Sequence, residues 1–129
     1  MLNGGTVSWL SQKQKCVSLS TTESEYIAAA TTTKEMIWLR ELLKELLHKS
    51  IDALAIYCDN LSAIKLVKNP EFHKRTKHID VRYHFIREKQ EEGIINILHV
   101  PSENQLADLL TKPLVPIKFH RLRSLIGVN

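Results

Sequence analysis

Ala53-Leu54-Ala55-Ile56-Tyr57-Cys58-Asp59-Asn60 is the stretch on which the fold turns. Six apolar residues run without interruption and stop at an acid and an amide. The run has the length and bounds of a strand enclosed in a sheet, so a buried, central strand is expected at Ala53–Cys58. An aspartate directly after it leaves a carboxylate at the C-terminal edge of the sheet, where α/β proteins place their ligands. Asp59 or Asn60 could equally cap the short helix expected from Leu61, Ile64 and Val67, which must end near Asn69-Pro70.

Outward from that strand the periodicity changes. On its N-terminal side, Ser20-Thr21-Thr22-Glu23 reads as a capping box, with hydroxyl and carboxylate both satisfying amides at a helix start. Ile27, Ala30, Trp38, Leu42 and Leu46 then recur at near-helical spacing, which predicts a long amphipathic helix through Leu47. Further back, Asn3-Gly4-Gly5 is a turn signal ahead of Thr6-Val7-Ser8-Trp9-Leu10, which alternates like a strand. Trp9 and Trp38 are expected in the core. On the C-terminal side, a helix is expected over Thr76–Glu92, stopped by Gly93, and a strand over Ile94–Val100. Ser102-Glu103-Asn104-Gln105 reads as a second capping box, opening a helix with Leu106, Leu109 and Leu110 that Pro113 breaks. The tail from Pro116 to Asn129 is expected to add a turn or two of helix. The order of elements is an α/β pattern, and the 129 residues are expected to form a single domain.

An apolar fraction of 43% and a charged fraction of 25% are those of a folded chain and exclude general disorder. Eighteen Lys and Arg against 14 acids leave a net charge of +4, a mild bias toward polyanions. Cys16 and Cys58 lack CxxC spacing and are expected as reduced thiols. No apolar run approaches the ~20 residues of a membrane span, and MLNGGTVSW has no leader pattern. A soluble intracellular protein, cytoplasmic or nuclear, is expected.

Three acids suit a metal-dependent nuclease. Glu25 falls in the first turns of the long helix, Asp59 ends the central strand, and Asp108 falls in the last helix; each is embedded in apolar sequence. Converging carboxylates repel unless cations neutralise them. A hard cation such as magnesium takes oxygen ligands, and two such ions ~4 Å apart can clamp the attacking and leaving oxygens of a phosphodiester. The bland alternative is that acids in first turns merely complement the helix dipole. The densest basic stretch runs from His73 to Arg82, where Arg75, Lys77 and His78 are candidates for phosphate contacts, while Lys74 and Arg87 fit a solvated face equally well. The histidines have no zinc-finger spacing.

The motifs STTESEY, YCDN, RTKHIDVRYHFIRE and ADLLTKPL, in this order and across nearly the whole chain, resemble the ribonuclease H region that ends copia-type retrotransposon Pol polyproteins. The resemblance implies a ribonuclease H-like fold, an upstream reverse transcriptase region in the intact polyprotein, and magnesium-dependent cleavage of the RNA strand of RNA–DNA hybrids with two ions. It places the family's helix glutamate on Glu25, its strand-end aspartate on Asp59 and its last-helix aspartate on Asp108, as catalytic residues and metal ligands. Glu23 is then the cap, and His99 is the nearest candidate for the family's histidine in proton transfer. The family's fourth acid, on its first strand, has no counterpart, since Glu23 is the sole acid before Glu25. The resemblance therefore implies a domain truncated at its N-terminus, with the first two strands missing. A chain so truncated is expected to have open sheet edges, to be marginally stable or self-associating, and to be impaired or inactive. The alternative is a non-catalytic nucleic-acid-binding segment, or a domesticated or decayed retroelement fragment.

Overall fold

The structure, a computed structural model, describes residues 5–14, 17–69 and 80–128. It is mixed α/β and divides into two compact units, one of Ser18–His99 and one of Met1–Val17 with Val100–Asn129.

The first unit begins with α1, Thr21–Leu47. The Glu23 amide donates to Ser20 Oγ at 3.1 Å, and the Leu19 amide donates to the Glu23 carboxylate at 2.6 Å, so hydroxyl and carboxylate both satisfy amides at the helix start as expected, the carboxylate reaching one residue before the cap. After α1 come β1 (Leu54–Cys58), α2 (Leu61–Lys68), α3 (Asp80–Glu91) and β2 (Ile95–His99). Gly93, at φ +68°, takes the left-handed conformation that ends α3 and turns the chain into β2. The two strands pair in parallel, with Ile56 opposite Ile97 and Cys58 opposite His99. Parallel neighbours need a crossover, which α2 and α3 supply.

Alternation along the strands then decides the core. Ile56, Cys58, Ile95 and Ile97 face the helices and pack with Tyr26 and Ala30 of α1, with Ala63, Ile64 and Val67 of α2, and with Ile86 of α3. Complete burial of a side chain of this size is worth about 1.5–3 kcal/mol. The opposite face is open, with Tyr57 59% exposed. Β1 is thus covered on one face, where burial on both was expected, and it pairs with β2 alone among the described residues.

Two further expectations are corrected in this unit and its partner. Trp38, expected in the core, is 59% exposed, and Leu46 is 67% exposed. The reason is length. A 27-residue helix runs about 40 Å, whereas five-residue strands run about 17 Å, so only the first half of α1 has a sheet beneath it. Its buried residues accordingly stop at Thr33. Thr6–Leu10 forms no strand, and Trp9 is 69% exposed, not core. A strand without a neighbour cannot satisfy its amides, and alternation alone does not supply one.

The second unit holds a 3₁₀ turn at Ser102–Asn104, α4 at Asp108–Thr111 and α5 at Pro116–Leu125. The expected capping box at Ser102 is not made, because Pro101 occupies the cap position with no side-chain bond. Pro116 opens α5, where its fixed φ suits a first helical turn. Leu122 is fully buried. Thr6 Oγ1 donates to the Ile126 carbonyl at 2.8 Å, and Ser11 Oγ donates to the Leu110 carbonyl at 2.9 Å. These two bonds lash the segment between them to the C-terminal helices. Among the described residues, no helix is long and apolar enough to cross a membrane.

Candidate metal centre

Asp59 is the first residue past β1, and the structure shows which of Asp59 and Asn60 caps the next helix. Asn60 is the cap of α2, its side-chain oxygen accepting from the Ala63 amide at 3.0 Å. Capping therefore falls to the amide, and the neighbouring carboxylate stands at the C-terminal end of the sheet. Glu25 reaches the same place from the second turn of α1. Glu25, Cys58 and Asp59 each offer one ligand atom, and these atoms lie within 4.8 Å of one another. Both acids are half-buried.

Cys58 was not among the candidate ligands. The signal for it lay in the strand's period of two, which turns Cys58 to the same side as Ile56. It is 5% exposed, and its thiol donates to the Asn60 carbonyl at 3.7 Å. Burial pushes the thiol pKa up, the Asn60 bond opposes this, and the negative charges of Glu25 and Asp59 push it up further. A protonated thiol is a poor ligand for a hard cation, so the oxygen donors here are the two carboxylates.

His99 ends β2, directly across from Cys58, and is exposed. Strand pairing thus sets it at the same end of the sheet as Asp59. Asp108 belongs to the other unit, where it is the first residue of α4 instead of lying in the second turn of a longer helix. It is 5% exposed and its oxygens are engaged: Lys112 Nζ lies 2.7 Å from Oδ1, and Lys118 Nζ 3.2 Å from Oδ2. Burial raises the Asp108 pKa, but the hydrogen bonds and charges of the two lysines outweigh it, and the carboxyl sits below its ordinary value. Glu23, at 6% exposure, is committed to the cap of α1. Arg75, Lys77 and His78 lie outside the described residues.

No protein-family model and no solved structure matches the chain. Curated relatives do. The retrovirus-related Pol polyprotein from transposon TNT 1-94 of Nicotiana tabacum is 50% identical over 128 residues, which is 98% of this chain and 10% of the relative. Those from transposons RE1 and RE2 of Arabidopsis thaliana are 48% and 46% identical, each over 95% of this chain and 8% of the relative. The chain spans a tenth or less of the length of these relatives, and over that length it resembles one segment of a retrotransposon Pol polyprotein.

Proposed function

We propose that the chain is a ribonuclease H-type segment of a copia-type retrotransposon polyprotein. Its ancestral reaction is cleavage of the RNA strand of RNA–DNA hybrids, retained here in impaired form. The observation that carries this reading is the convergence of Glu25 and Asp59 at the C-terminal end of β1, supported by the relatives' names.

Two carboxylate oxygens within 4.8 Å fit a magnesium ion, which takes oxygen ligands at about 2.1 Å, after small side-chain movements. Bound there, such an ion would acidify a water and offset charge on the scissile phosphate. Glu25 holds its carboxylate from a capped, rigid helix. Asp59 is fixed between the last strand pair and the Asn60 cap. His99 is exposed at the same sheet end, where it can pass a proton to the leaving oxygen. Asp108, the third acid that the resemblance implies, belongs to the other unit and is held there by Lys112 and Lys118. Two ligands hold one hard cation weakly, which is the basis for expecting impairment.

A second reading, a segment that binds nucleic acid without cutting it, is favoured by the lysine pairing of Asp108 alone. The two separate in one experiment: a fluorescent RNA–DNA hybrid incubated with the chain in magnesium, beside Asp59→Asn and Glu25→Gln. Slow RNA-strand cleavage lost in both variants supports the nuclease. Hybrid binding without cleavage, and no thermal stabilisation by magnesium or manganese, overturns it in favour of the second reading.

A further inference from the structure

The chain's charge is not evenly spread. The unit of Met1–Val17 and Val100–Asn129 contains six of the 18 Lys and Arg and two of the 14 acids, so it carries the whole net charge of +4. In the other unit twelve bases and twelve acids cancel. One of the two acids in the basic unit, Asp108, is buried under Lys112 and Lys118. Both lysine heads are thereby drawn to its oxygens, and Lys118, the more enclosed, also donates to the Ser102 carbonyl at 3.1 Å. Arg121 is anchored on the same turn, donating to the Glu103 carbonyl at 3.3 Å and to the Asn104 side chain. Three cationic heads are thus pre-positioned around α4 and α5, and α5 itself contains no acid. Cations already ordered lose less entropy when they meet a phosphate.

Aromatic surface accompanies them. The segment between Thr6 and Ser11 is bonded at both ends to this unit, and it presents Trp9 at 69% exposure. Phe119, 40% exposed, stands between Lys118 and His120 on α5. A tryptophan so exposed offers its ring face to a planar partner. Ordered cations in the same unit as an exposed tryptophan match a single strand of nucleic acid, whose backbone meets the charges while a base stacks. A lipid surface fits less well. Around α5 the exposed Ile117 and Leu125 fall between Ser124, Arg121 and Lys118, so no continuous apolar face exists to lie in a bilayer.

We infer that this basic unit is a binding surface for single-stranded nucleic acid, with Lys112, Lys118 and Arg121 on phosphates and Trp9 stacked on a base. The surface shares no residue with the pair Glu25 and Asp59, so Glu25→Gln and Asp59→Asn leave it intact. The test is fluorescence anisotropy of a labelled 12-mer of oligo(dT) with the full chain across a salt series. Paired Lys112→Gln and Arg121→Gln substitutions are expected to flatten the log–log salt slope by about 1.4, at ~0.7 for each phosphate contact. Trp9→Leu is expected to weaken binding about tenfold with the slope unchanged, since one stacked base is lost and no charge. In a Trp38→Phe background, oligo(dT) should quench the remaining Trp9 fluorescence, a readout that survives if the charge variants fail to fold. Absence of binding at low salt, an unchanged slope, or no quenching overturns the inference. So does binding to phosphatidylserine vesicles with none to the oligonucleotide, which would make the surface a membrane contact.

Discussion

Replacement of Asp108 by asparagine separates two physical roles that the same carboxylate could play. In the structure it is a buried acceptor for two ammonium groups. Lys112 has a side chain 52% exposed, so water screens much of that pair, leaving about 0.5 kcal/mol. Lys118 is 26% exposed and contributes closer to 1 kcal/mol. Asparagine keeps the shape and one acceptor but removes the charge, so Asp108→Asn is expected to cost about 1–2 kcal/mol at pH 7. The cost must depend on pH. The folded pKa is depressed, so the unfolded chain binds the proton more readily and the contribution is fully present above the unfolded value, near 3.9 for aspartate. It fades as pH falls through the depressed folded value, while the asparagine variant has no such proton to take up. Urea denaturation at pH 7, 5, 4 and 3, read by Trp9 fluorescence in a Trp38→Phe background, measures this within the unit that holds Asp108. The gap between the chain and its variant should be constant from pH 7 to 5 and shrink below 4. A variant as stable as the parent at pH 7, or a gap that persists undiminished at pH 3, would refute the ion-pair account.

Ser20→Ala removes the hydroxyl that caps α1 and should cost about 1 kcal/mol, lowering Tm by roughly 4–8 °C; an unchanged melting curve would mean that the cap is replaceable by water. Ile97→Ala opens a cavity beneath the helices, at a side chain 1% exposed, and should cost about 2–5 kcal/mol by urea denaturation, whereas Tyr57→Ser on the open face should stay within about 1 kcal/mol. Trp38→Ser should change stability by less than about 0.5 kcal/mol, because the ring is 59% exposed; a loss of 3 kcal/mol would place it in a core after all.

What sequence alone determined here is the local chemistry. A hydroxyl three residues before a carboxylate announced α1, a bounded apolar run announced β1, and Gly93 stopped α3, because capping bonds, strand length and the left-handed conformation involve only neighbours in the chain. The same local signs failed at Ser102, where Pro101 took the cap position, and at Thr6–Leu10, where alternation had no partner strand. Periodicity likewise put Trp38 on the apolar stripe of α1, but burial depends on what lies opposite. A two-stranded sheet is shorter than that helix. The cap of α2 by Asn60 and the pairing of Lys112 with Asp108 are local too, at three and four residues' spacing, although the sequence left Asp59 and Asn60 as equal candidates for the cap. Tertiary structure decided the rest: Cys58 and Asp59 stand beside Glu25, up to 34 positions away, and Lys118 reaches Asp108 across ten, meetings set by how elements pack and by no spacing rule along one element.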